Sequence, residues 1–190
     1  MAAPFPIIAG PVDVYTAPIA TAFPVANVAP AAAWVLLGSS GGKSIHEDGV
    51  TVRYEQDTED TYTLGATGAR KAFRKRERIE IEFVLLDATL ESYAQAFNAA
   101  AVTTLAGPPA EKTVPLRQGS AVSTRALLIR GLMSPYADSA VNLQWEIPLV
   151  YSKSAPVTVY QKSEPVGLKF FFFALQDDTS GFGVLRVPTT

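Results

Sequence analysis

The chain reads as a mostly-β α+β fold: a β-sandwich or barrel of about seven to eight strands, with one flanking α-helix and an extended N-terminal arm. Three observations predict this. Several segments alternate apolar and polar residues with period two, the mark of a half-buried strand. One segment alone, about 88–100, carries apolar residues at helical spacing. The first 33 residues hold six of the 14 prolines, which rules out a continuous helix there.

Residues 1–33 also carry eleven alanines and a single charge, Asp13. The segment is too apolar for an ordinary solvated linker. It is expected to lie extended over a surface, its own or a neighbour's, with a short strand at Val12 to Thr16. A second region, 34–175, follows. Trp34 to Leu37 is a short apolar run that ends in the loop Gly38-Ser39-Ser40-Gly41-Gly42. Val50, Val52 and Tyr54 alternate with Thr51, Arg53 and Glu55; Ile79, Ile81, Phe83 and Leu85 alternate with Glu80 and Glu82. These form the arms of a long charged hairpin, 46–83. Asp87 is the expected N-cap of the helix. Leu90, Tyr93, Ala94 and Phe97 line its apolar face, and Glu91, Gln95 and Asn98 face outward. Further strands are expected over Ala126 to Leu132, Val141 to Val150, Pro156 to Gln161 and Val166 to Leu175, with Met133 to Ala140 as a hairpin loop. In the second of these, Val141, Leu143, Trp145 and Ile147 alternate with Asn142, Gln144 and Glu146. Residues 176–190 read as a C-terminal tail.

Phe170 to Phe173 place two rings on each face of one strand. Either the strand is buried on both faces, or a partner subunit covers Phe171 and Phe173, since an exposed pair would leave a sticky patch.

Composition narrows the function. At 190 residues the chain is long enough to bury a core without staples, and it has no cysteine, hence no disulfide and no thiolate nucleophile. A net charge of −2 argues against general nucleic-acid affinity. Residues 14–42 are uncharged, but Pro18, Pro24 and Pro30 interrupt them too often for a membrane-spanning helix. The N-terminus Met-Ala-Ala-Pro-Phe-Pro lacks the basic start of a signal peptide, so synthesis and first use in the cytosol are expected.

Charge is segregated along the chain. Six acids fall within 47–60 (Glu47, Asp48, Glu55, Asp57, Glu59, Asp60), and six bases within 70–78 (Arg70, Lys71, Arg74, Lys75, Arg76, Arg78). Two readings stand open. The blocks are arms of a hairpin that pair their charges across the strands, or they form a surface that binds a copy of itself head to tail.

Catalytic signals are weak. Gly42-Lys43-Ser44 resembles the end of a P-loop and Phe83-Val84-Leu85-Leu86-Asp87 a magnesium-binding strand. The first glycine of the phosphate loop is replaced by Leu37, however, and the run leads toward a strand rather than a helix. Any hydrolytic triad must use the single His46, which lies in a charged loop. No enzyme activity, cofactor or metal is expected.

Taken in order, several segments resemble the tail tube (major tail) proteins of long-tailed, non-contractile bacteriophages. They are Val12-Asp13-Val14-Tyr15-Thr16-Ala17-Pro18-Ile19-Ala20, Phe23-Pro24, Ala33-Trp34-Val35-Leu36-Leu37-Gly38, Glu47-Asp48-Gly49-Val50-Thr51-Val52, Arg70-Lys71-Ala72-Phe73-Arg74, and Phe83 through Ala94. The resemblance implies a β-sandwich with a flanking helix that assembles as homohexameric rings. The rings stack into a tube in the virion tail, assembled in the host cytoplasm, whose lumen passes double-stranded DNA without specific binding. Arms and a long loop bridge adjacent rings, and tape measure, tail terminator and distal tail proteins are the implied partners. A lumen wall should not grip phosphate, so Glu55 and Asp57, or the Glu80/Glu82 face, are its expected lining. Arg70, Lys71, Arg74, Lys75, Arg76 and Arg78, with Phe171 and Phe173, are the expected subunit or ring contacts. The alternative is a monomeric β-sandwich binding module for carbohydrate or a virion protein, with Tyr136 and Asp138, or Tyr62 and Asp60, as its candidate site.

Overall fold

The protein is described by a computed structural model over residues 11–65, 67–99, 101–116, 119–131, 143–153 and 166–187. It is mostly β with one helix, as predicted. The strands are β1 (Val12–Ala17), β2 (Val35–Leu36), β3 (Ile45–Thr61), β4 (Lys71–Leu85), β5 (Thr103–Leu105), β6 (Glu111–Thr113), β7 (Arg125–Gly131), β8 (Gln144–Ser152), β9 (Leu168–Ala174) and β10 (Val184–Arg186); the helix α1 spans Leu90–Ala96. Eight strands form one antiparallel sheet in the order β2-β1-β7-β8-β9-β4-β3, with β10 on β8; β5 and β6 pair separately. The expected loop at 133–140 and strand at 156–161 lie outside the described residues.

Alternation sets which side chains meet. Leu168, Phe170 and Phe172 on β9 point to the same side as Ile81, Phe83 and Leu85 on β4, against which they are registered. Val14, Leu127, Ile129 and Ile147, from the other end of the strand order, share that core. The sheet therefore curls on itself and encloses one apolar interior, as a sandwich does. The rings of Phe83, Phe170 and Phe172 stack at its centre, with centroids 5.0 Å (83–170) and 5.5 Å (170–172) apart. Each such ring contributes roughly 1.5–3 kcal/mol through burial alone.

β8 changes partner along its length. One edge pairs with β7, while the other pairs with β10 at Gln144, Trp145 and Glu146 and with β9 at Val150, Tyr151 and Ser152. The β7 register shifts by one residue between these two stretches. Pro148 sits in the shift, where its missing N–H breaks no ladder bond.

The helix closes part of the curl. Ala96 joins the core, and the Ala96 carbonyl accepts a hydrogen bond from Ser152 at 2.8 Å. Two expectations are corrected here. The N-cap is Thr89, whose hydroxyl accepts the Ser92 amide at 3.2 Å; Asp87 lies two residues earlier and binds the Ser39 backbone instead. Gln95 does not face solvent but accepts a hydrogen bond from Thr16 on β1 at 3.1 Å, so α1 is tied to the sheet by a polar contact.

The described part of the arm lies on its own subunit. β1 is an inner strand, registered with β7 over six positions. Residues after Ala17 fold back across the outer face of β1 and β7. There Trp34 packs with Ala17, Ala126 and Leu128, stacks near Phe23 at 5.0 Å, and donates its indole N–H to the Ala22 carbonyl at 3.0 Å.

A candidate assembly surface

The two charge blocks of the sequence become facing strands. β3 and β4 pair from Val50↔Phe83 out to Thr61↔Lys71. Only Glu80 to Leu85 of β4 are also registered with β9. Beyond Ile79 the hairpin is thus a two-stranded ribbon, with neither outer edge paired to another strand among the described residues. Tyr54 to Thr61 make it about 26 Å long at 3.3 Å per residue.

On the face away from the core, charges alternate in sign across the strands. Arg53 stands opposite Glu80, Glu55 opposite Arg78, and Asp57 opposite Arg76. Arg78 donates to Glu55 at 2.7 Å and reaches Glu80 at 3.2 Å, and Arg53 lies 3.7 Å from Glu80. Hydrogen bonding to Glu55, then the negative charge of Glu55 and Glu80, holds the Arg78 guanidinium above its ordinary value. Glu82 pairs with Lys169 of β9, extending the ladder by one strand. Nearer the tip, Lys75 reaches Glu59 at 2.7 Å. A bulge between Asp57 and Thr58 turns Arg74 to the other face, where it pairs with Glu77. Exposed pairs of this kind contribute little stability in water, so their main effect is to fix register.

Half of the basic run, Arg74, Lys75 and Arg78, is therefore matched by acids of its own hairpin. Among the described residues, Arg70, Lys71, Arg76 and Asp57 form no ion pair; the Lys71 ammonium lies 5.2 Å from the Phe73 ring. Glu80, expected with Glu82 to line the lumen, is 7% exposed and held by Arg53 and Arg78 of its own subunit. Phe171 and Phe173 continue the same outer face, opposite Glu82 and Glu80. Phe173 is buried by the subunit itself, under Tyr151 and a Lys153 ammonium 4.3 Å from its ring, while Phe171 is half-buried. Glu55, Asp57, Glu80 and Glu82, expected in the lumen, thus share one face of β3, β4 and β9 with Arg76, Arg78, Phe171 and Phe173, expected at contacts, whereas Arg74 lies on the other face.

The imitations of enzyme motifs are structural. Gly41–Ser44 is a short 3-10 turn that runs straight into β3, and the Gly42 amide donates to the Asp13 carboxylate at 2.8 Å, filling the place of a phosphate. Asp87 binds the Ser39 amide through both oxygens at 3.1 Å and also its hydroxyl. Those hydrogen bonds hold it below the usual carboxylate range. His46 lies 2.9 Å from Asp48 in an irregular stretch of β3. Among the described residues no group of three or more His, Cys, Asp or Glu side chains is placed to hold a metal, and no helix is long and apolar enough to cross a membrane.

One feature escaped the sequence reading. Arg130, Gln144 and Glu146, on the outer faces of β7 and β8, are at most 5% exposed. Alternation suggested a solvated polar face for β8, but the arm covers it. The uncharged stretch 14–42 was the available signal, because such a segment needs a surface with donors for its carbonyl groups. The chain matches no protein-family model and no curated protein.

Proposed function

We propose that the chain is a structural virion subunit that assembles as stacked homohexameric rings, forming the tail tube of a long-tailed bacteriophage through which DNA is ejected. The observation that carries this reading is the free ribbon beyond Tyr54 and Ile79. A two-stranded ribbon is marginal in water on its own, and its unpaired edges invite other strands. Exposed Phe73 and Tyr54, together with the unmatched Arg70, Lys71 and Arg76, give it the means to lie on another copy. On this reading the alternating face of β3 and β4 suits a conduit, since neither sign dominates enough to hold phosphate.

Electron microscopy of the concentrated protein tests the reading: hollow tubes or stacked rings are expected. The double variant Arg74→Glu/Arg76→Glu is expected to stay folded, with an unchanged circular dichroism spectrum, and to form no tubes. A wild-type protein that stays monomeric at every concentration overturns the proposal and favours the monomeric binding module.

A further inference from the structure

The polar line beneath the arm does more than satisfy buried groups. Gln144 uses its whole amide. Its oxygen accepts Arg130 Nε at 3.1 Å and Nη2 at 2.7 Å, and its nitrogen donates to the Pro24 carbonyl at 2.7 Å and to Glu146 at 2.5 Å. Arg130 also donates Nη1 to the Val28 carbonyl at 2.7 Å and Nη2 to that of Val25 at 3.5 Å. At the other end Glu146 accepts both arms of Arg186, at 2.8 and 3.1 Å. The line therefore runs from arm carbonyls through Arg130, Gln144 and Glu146 to the C-terminal strand.

We propose that this line is a latch through which β10 and the N-terminal arm hold each other in place, so that displacing β10 releases the arm. β10 is the part made to leave. It has three registered residues, all exposed, and it is attached by Arg186, by the ladder to β8 and by Phe182 just before it, which packs against the core. Gly183 immediately before it has φ +131, and a β-carbon there would overlap the Glu146 carbonyl oxygen. When β10 departs, Glu146, which is 5% exposed with β10 in place and bonded to Gln144 beneath the arm, loses its cation, a costly change for a carboxylate held from water. The one other cation on that line is Arg130. Leu128 is registered with Glu146 and Arg130 with Gln144, which makes Arg130 and Glu146 diagonal neighbours on one face. A buried carboxylate outcompetes neutral carbonyls for a guanidinium. Arg130 then turns to Glu146, and the carbonyls of Val25 and Val28 lose their donor.

The coupling stands independently of tube formation. If the subunit does assemble, a neighbour that takes the β8 edge from β10 frees the arm at the moment of docking.

Thermolysin cleavage of the full-length chain tests this, with sites within 18–34 read by mass. Arg186→Met is expected to speed cleavage there roughly tenfold, because cleavage tracks the population of the opened arm. Gly183→Ala, which displaces β10 while keeping Arg186, is expected to do the same. Adding Glu146→Gln to Arg186→Met removes the buried charge that draws Arg130 away, and the arm should regain protection. The proposal is overturned if either β10 variant leaves arm cleavage at the wild-type rate, or if the double variant stays as labile as Arg186→Met alone.

Discussion

The four consecutive phenylalanines of β9 allow a sharp test of which face is core. Phe172 is 1% exposed and lies in the ring stack with Phe83 and Phe170. Phe172→Ala removes the ring and leaves a cavity walled by strands that cannot close over it, which costs about 3–5 kcal/mol. Total stability of a natural domain is only about 5–15 kcal/mol, so the loss is a large fraction of it. With a urea dependence of about 2 kcal/mol/M, a loss of about 4 kcal/mol lowers the unfolding midpoint by about 2 M. Trp34 and Trp145 fluorescence and far-UV circular dichroism both report the transition. Phe171, next along the strand, is half-buried on the opposite face and leaves no enclosed cavity; Phe171→Ala should cost about 1 kcal/mol or less. On the assembly reading its larger effect falls on association. Equal midpoint shifts for the two variants would refute the assignment of faces, and with it the placement of Phe171 on the outer surface.

Two further outcomes follow from the loop and helix contacts. Asp87→Asn should destabilise by about 1 kcal/mol at neutral pH, after allowance for partial exposure. The folded-state pKa of Asp87 is depressed, so its contribution is present above the ordinary value of 3.8 and is lost as pH falls through the lower folded value. The gap between wild type and variant in urea titrations should therefore close in acid; a gap independent of pH counts against the Ser39 contact. Thr89→Ala should cost about 1 kcal/mol by removing the helix cap. It should also speed amide exchange at Ser92, whereas Asp87→Asn leaves Ser92 unaffected.

The parts of the fold legible in the sequence are those governed by short-range periodicity. Val50 to Glu55, Ile79 to Leu85 and Phe170 to Phe173 alternate because one face of each strand is apolar, and alternation is local. The pairing of the charge blocks was legible only as one of two possibilities, since Arg78 meets Glu55 or a neighbouring subunit with the same chemistry. β10 was not legible at all. Val184, Leu185 and Arg186 form a strand because β8 offers them an edge, which three residues cannot announce. The burial of Gln144 and Glu146 was hidden for a related reason: Gln144 meets the Pro24 carbonyl 120 residues away and Glu146 meets Arg186 40 residues away. Asp87 and Thr89, three residues and one before the helix, both suit a cap by residue type. Backbone geometry at Thr89 decides it.

Alternating signs on the outer face of β3 and β4 bear on how two molecules meet. Neighbouring charges only a few ångströms apart cancel at a distance, so the far field of this face dies away well within a Debye length of about 8 Å at physiological salt. No electrostatic steering draws copies together along it, and encounter there should be slow and nearly indifferent to ionic strength. At contact the pattern acts as a ruler. On the assembly reading, a sideways slide by one strand would set Arg against Arg and acid against acid, so the face would reject a misaligned copy that its long-range field never detected.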